Sequence, residues 1–297
     1  MSTPKLIKSF NGDAKVTGLA ILERKLYVIR CNCPRIDVFD ADEYAMKHQL
    51  EVKIANSPSQ TFDLASCSRS YRLYLSNKLD GEIYRLDPSD GSVTTRWTAG
   101  GCVEGIAVRD SCNLLVTCGK EMIIDEFTPE GVLVHHIDLT LVIQQVHTSI
   151  VVAVRSKRNR LRCMDMIVPY HCIEADASSG ISVSFSSQNK QIPNMVCMLD
   201  EKGDLVTSTA RSSQTGSGEI MFDRPSHLAV DSRHQILVAD TNNNRIRLLG
   251  PSLEHIHDLI TSKHGLKKPV KMCIDGITGR LLVANENGTL LVFQAYY

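Results

Sequence analysis

The feature that most constrains this chain is a unit of three short apolar segments that returns six times. Its clearest copy is RPSHLAVDSRHQILVADTNNNRIRLL at 224–249: strands HLAV and ILVA around a polar turn, then a TNNN turn and a third strand, RIRLL. First-strand cores read GLAI, DLAS, GIAV, HCIE, HLAV and KMCI, at 18–21, 63–66, 105–108, 171–174, 227–230 and 271–274. Second strands centre on Val28, Leu75, Val116, Val183, Val238 and Val283, and third strands end on Phe39, Leu86, Phe127, Leu199, Leu249 and Phe293. A unit this small cannot bury both faces of its sheet alone, so it must stack against its own copies.

The spacing, roughly 41–47 residues where nothing intervenes, is that of a four-stranded propeller blade. Fourth strands follow the first five triples: MKHQLEV, VTTRWTA, VLVHHIDL, DLVTSTA and HIHDLI. The sixth triple has none, and its sheet would keep an unpaired edge. The stretch KLIKSFNG at 5–12 resembles a fourth strand and is expected to close that last blade. The fold expected is therefore all-β: one six-bladed β-propeller over 1–297, its N-terminal strand sewn into the last blade. The blades are read at about 16–54, 60–100, 102–140, 169–210, 225–262 and 269–297 plus 5–12, with 141–168 as a connector between the third and fourth.

That connector exceeds the period by roughly 20–25 residues. Its first part is apolar and β-branched; its second, RSKRNRLR at 155–162, carries five positive charges and no negative one. Apolar followed by basic suggests a membrane span, but Gln144, Gln145 and His147 interrupt a run already short of the roughly 20 residues required. A surface excursion, with an extra hairpin, is expected instead. Because the repeat resumes on either side, a stretch foreign to the natural product is a further reading. The basic run, if exposed, is a candidate phosphate contact.

Thirty-three basic residues balance 33 acidic ones, so no whole-molecule field favours nucleic acid or an anionic membrane. Ten cysteines do not make a scaffold: Cys67, Cys102, Cys112, Cys118, Cys172, Cys197 and Cys273 fall singly in or beside strands, as small apolar groups do. Cys31 and Cys33 are too close for a C-x-x-C motif. No apolar leader follows Met1, and reduced thiols fit an intracellular, cytoplasmic protein.

P-x-H-L-A-V-D at 225–231 followed by I-L-V-A-D-T-N-N-N-R-I at 236–246 resembles the NHL repeat, found in six-bladed propellers at the C-terminal ends of tripartite-motif proteins. The sixth copy matches well, the first four only in hydrophobic framework. The resemblance implies a recognition propeller gripping a protein segment or RNA on one face. No RING, B-box or coiled-coil pattern precedes Lys5, so ubiquitin transfer by this chain alone is not expected. Within the motif, the Asp240 carboxylate is expected to accept amides of the following turn, with Arg245 reaching back to it, while Asn242 to Asn244 supply the positive φ of a tight connection.

Candidate functional residues emerge from the alignment of blades. Turns between second and third strands share a face with the connections between blades. That face is expected to carry Arg35, Asn77, Lys78, Lys120, Arg224, Asn243, Asn244, Arg245, Lys267 and Lys268. First strands line the channel, where Gly18, Asp63, Gly105, His171, His227 and Lys271 are equivalent, with Glu104 and Asp176 nearby. Asp63, Glu104, His171 and His227 form an alternative metal set of the kind used by propeller hydrolases and lactonases, which Lys271 would oppose. There is no G-x-S-x-G, P-loop or H-E-x-x-H, and the Gly-Ser stretch at 214–219 reads as a connector. A protein or peptide partner is expected first, because aromatics, at 5%, are too few for base-stacking platforms. RNA is the second reading and a metal-dependent hydrolase the third. No cofactor, catalytic residue or membrane partner is expected.

Overall fold

The computed structural model describes residues 4–12, 14–33, 35–52, 62–150, 167–174, 180–187, 194–209 and 222–294. The basic run at 155–162, Asp176 and the stretch at 214–219 lie outside the described residues.

Strand β1 (Leu6–Phe10) is followed by β2 (Val16–Leu22), β3 (Lys25–Arg30), β4 (Arg35–Asp40) and β5 (Met46–Glu51), which make the first sheet in that order. The second is β6 (Phe62–Cys67), β7 (Arg72–Asn77), β8 (Glu82–Leu86) and β9 (Val93–Thr98). The third is β10 (Val103–Val108), β11 (Leu114–Cys118), β12 (Ile123–Phe127) and β13 (Leu133–Asp138). After helix α1 (Leu139–Ile150) come β14 (Ile167–Glu174), β15 (Ile181–Ser187), β16 (Met195–Leu199) and β17 (Leu205–Ser208). The fifth sheet is β18 (Pro225–Val230), β19 (Ile236–Asp240), β20 (Arg245–Leu249) and β21 (His255–Ile260). The last has the order β1–β24–β23–β22, from β22 (Pro269–Ile274), β23 (Leu281–Asn285) and β24 (Leu290–Phe293).

The innermost strands β2, β6, β10, β14, β18 and β22 touch in a closed circuit, which makes the molecule a six-bladed β-propeller. The second strand of each blade is covered on both faces by neighbouring blades. That is why LLVTC, ILVAD and LLVAN are apolar without alternation and buried throughout. Fourth strands alternate loosely and are largely exposed, as in VTTRWT and LVHHID. Each seam between neighbouring blades holds its own hydrophobic cluster, from Tyr27 against Leu75 in the first to Leu282 against Val28 in the last. Gly18 sits where inner strands crowd: a Cβ there would lie 2.7 Å from the Leu64 backbone nitrogen and 2.6 Å from Ile29.

Closure uses both ends of the chain. β1 pairs antiparallel with β24, Leu6 opposite Phe293 and Phe10 opposite Leu290, and the Gln294 N–H donates to the Lys5 carbonyl at 2.9 Å. Phe10 packs on Phe39 and Tyr44 of the first blade. Two arginines pin the same seam: Arg30 donates to the carbonyls of Ala14 (2.9 Å) and Gly288 (3.2 Å), and Arg280 to the Asp42 carbonyl (3.2 Å) and the Tyr44 hydroxyl (3.3 Å).

The connector after β13 departs from expectation. Its described part, as far as Ile150, is a helix where an extra hairpin was expected, and residues 151–166 lie outside the described residues. Asp138 caps it, accepting the Thr140 N–H at 2.8 Å, and Leu139, Val142, Ile143 and Val146 bury one face between the third and fourth blades. Among the described residues no helix is long and apolar enough to cross a membrane.

Candidate binding face at the channel mouth

The face is built by one recurring backbone bond. In four blades the residue after the second strand donates its N–H to the carbonyl of the residue just before that blade's first strand: Cys31 to Lys15 (2.8 Å), Gly119 to Cys102 (3.2 Å), Thr241 to Arg224 (3.2 Å) and Glu286 to Lys268 (2.8 Å). Lys15, Arg224 and Lys268 are therefore one structural position in three consecutive blades: the first, fifth and sixth. Arg224 and Lys268 hold this place at φ 57° and 50°, in the left-handed region that favours glycine.

Their charges meet. Glu286 lies 3.3 Å from Arg224 and 3.2 Å from Lys268. Burial opposes ionisation of Glu286, but Lys268, Arg224 and Lys15 outweigh it and hold its carboxyl below the usual range. Lys15 is half-buried, and among the described residues no carboxylate pairs directly with its ammonium. Burial, reinforced by Arg224 and more weakly by Lys271, pushes Lys15 below the usual lysine range against the pull of Glu286. Lys15 is not among the sequence candidates. Alignment of the residue preceding each first strand, which places it with Arg224 and Lys268, is the signal that finds it.

Several expected contact residues serve the scaffold. Asn77 is fully buried and donates to Asp80 at 2.7 Å. Asn243 donates to Asp240 at 2.9 Å, while Asn244, at φ 53°, accepts the Lys268 N–H at 2.8 Å. Arg245 bridges Asp240 (2.7 Å) and Asp258 (2.9 Å). Asp240 does not cap the following turn's backbone amides as expected. Its carboxylate accepts the Asp223 N–H at 2.7 Å, two residues ahead of its blade's first strand, just as Asn285 accepts the Lys267 N–H at 3.0 Å. The strand-end side chain thus fastens the incoming connection. Lys78 is paired with Glu104, Arg35 lies on the outer rim with a 3.4 Å bond to Gln49, and Lys120 and Lys267 are exposed.

At the channel itself, Gly18, Asp63, Gly105, His171, His227 and Lys271 do fall at one register position, opposite Ile29, Ser76, Thr117, Ser184, Ala239 and Ala284. Asp63 is committed: Lys271 reaches it at 2.7 Å, and it also accepts the N–H groups of Leu64 (2.9 Å) and Ile106 (3.2 Å). His227 is buried, and the His171 side chain lies outside the described residues. Among the described residues no three His, Cys, Asp or Glu side chains are grouped to hold a metal ion, and no disulfide links the described cysteines.

Comparison with known proteins agrees at the level of fold. Among curated proteins none matches this sequence. The chain is similar in structure to hydrazine synthase of Kuenenia stuttgartiensis (TM-score 0.60, 11% identity, covering 95% of this chain and 96% of that one). It is similar to the WD40 β-propeller domain of Doa1 (0.59, 10%, 100% and 98%) and to the β-propeller domain of Cps50 (Swd1) from Myceliophteria thermophila (0.59, 10%, 99% and 100%). Residues 222–247, which carry the Asp240 fastening and its TNNN turn, match the NHL repeat.

Proposed function

We propose that this propeller is a non-catalytic recognition module that binds a protein or peptide segment through the face carrying the channel mouth, in the manner of the tripartite-motif propellers its fifth blade resembles. The observation that carries this reading is the mixed charge of that face. Lys78 is matched by Glu104, Arg224 and Lys268 share Glu286, and Lys271 is matched by Asp63. A nucleic-acid groove needs a run of cations facing phosphates, with aromatic rings for bases. Here carboxylates interrupt the cations, and no described aromatic side chain is fully exposed. The same pairing argues against a metal-dependent hydrolase, because lysines already neutralise Asp63 and Glu104, two of the four candidate ligands.

The test is affinity capture with the whole chain, comparing it with a Lys78→Glu/Lys120→Glu/Lys267→Glu variant and an opposite-face Lys25→Gln/Lys202→Gln control. Captured proteins should be lost with the first and kept with the second. Partners that survive the first variant unchanged would show that a different surface is used. A captured RNA whose binding falls steeply with salt would favour the nucleic-acid reading.

A further inference from the structure

We propose that Lys15, Arg224 and Lys268, the three register-equivalent cations, form an anion seat at the channel mouth that takes a carboxylate side chain from an acidic peptide segment of the partner. The seat rests on the recognition role proposed for this face and gives that role a ligand chemistry.

Four observations support it. The recurring backbone bond launches all three side chains from one position in consecutive blades, so they form an arc around part of the mouth. The arc contains its own demonstration of the group it binds: the Glu286 carboxylate lies between Arg224 and Lys268, one oxygen toward each. The count is also unbalanced. Three cations share this one carboxylate, since Asp63 is taken by Lys271 and the exposed Asp223 accepts the Asn242 side chain at 2.9 Å. Lys15 is thus left half-buried with like charges beside it, a state that an incoming anion relieves. The chain also keeps Arg224 and Lys268 at a backbone conformation costly for any side chain, at positions where each is the residue before a proline.

The footprint suits a carboxylate more than a polynucleotide. A strand of RNA presents a row of phosphates, and the resident Glu286 would repel all but the nearest. A peptide carboxylate needs only the two or three donors present, and its backbone can extend over the exposed Lys267.

The experiment is fluorescence anisotropy at low salt, using three labelled probes: a tetraglutamate peptide, its tetraglutamine twin and a short oligouridine. Wild-type protein should bind the glutamate peptide and not the glutamine twin. Lys15→Gln/Arg224→Gln/Lys268→Gln should weaken that binding about 10-fold, the combined loss of three partly exposed pairings. Glu286→Gln, which removes the resident competitor, should tighten it by about 3-fold on the same scale, an effect misfolding cannot mimic. The opposite-face control should change nothing. Equal binding of the two peptides, no response to the triple variant or no gain from Glu286→Gln would each overturn the seat. Tighter binding of oligouridine through the same three residues would replace it with an RNA site. If the glutamate peptide fails while capture remains sensitive to Lys78→Glu/Lys120→Glu/Lys267→Glu, the seat is wrong and the recognition role stands. If both fail, neither stands.

Discussion

Replacing Phe10 with alanine tests how firmly the ring is held shut. Strand β1 buries little of itself: Leu6 and Ile7 are 42% and 40% exposed. Its anchor is Phe10, whose ring centroid lies 5.8 Å from that of Phe39 and 5.9 Å from that of Tyr44. Fully burying a phenylalanine is worth roughly 1.5–3 kcal/mol, so half burial is worth about 1–1.5 kcal/mol. Two aromatic pairs add about 0.5 kcal/mol each at the low end of their range. The total is about 2–2.5 kcal/mol. With an unfolding entropy of about 2.1 cal/mol/K per residue over a chain of 297, each kcal/mol displaces Tm by a little under 2 °C. Phe10→Ala should therefore melt about 3–4 °C below wild type, whereas Leu6→Ala, on the same strand but exposed, should stay within about 1 °C. Differential scanning calorimetry resolves the two. If both variants melt like wild type, β1 is not the clasp and the ring is held by the arginines alone.

Gly18→Ala should destabilise by about 1–3 kcal/mol, read from the denaturant midpoint, because the new methyl meets the Leu64 backbone; an unmoved midpoint would mean the inner strands part easily. The Tyr27 hydroxyl is buried with no hydrogen-bond partner among the described residues, and burial pushes its phenol up to about 12, so Tyr27→Phe should be neutral or stabilising by up to about 1 kcal/mol. A clear loss of stability there would reveal an unseen partner. Asp258 accepts Arg245 and Arg247, each at 2.9 Å; burial works against ionisation, but Arg247 and then Arg245 hold the carboxyl below its ordinary 3.8. A depressed folded pKa means stability present above 3.8 and lost as pH falls through the lower folded value. Asp258→Asn should thus cost about 1–3 kcal/mol at neutral pH, with the gap from wild type closing in strong acid; a gap constant with pH would refute the ion-pair account.

The legible part of the sequence was whatever repeats. Core strands such as ILVA and LLVA report their two-sided burial locally, and the missing sixth fourth strand pointed to residues 5–12. Helix α1 escapes a strand-biased reading because its β-branched valines and isoleucines suit strands, although Leu139, Val142, Ile143 and Val146 already stand at helical spacing. Asp240 takes amides other than those expected for a different reason: its partner, Asp223, belongs to the connection entering the blade, and nothing in the turn itself announces that. The channel ring aligns residue by residue as expected, yet the Lys271–Asp63 pair joins two blades that are not neighbours in sequence, a fact of space that aligned letters do not carry. Arg224 and Lys268 are visible one at a time; only the shared backbone bond joins them to Lys15.

The pairing of β1 with β24 also fixes when the molecule can finish folding. Strand β1 finds its neighbour only after Phe293 has been made, so five seams can zip during translation while the sixth waits. Throughout that interval the outer sides of Leu26 and Val28, which the last blade will cover, face solvent unprotected. Completion is therefore a single late event with the longest contact in the chain, the slowest kind to find, and a nascent chain halted short of it would present an adhesive flank to its surroundings.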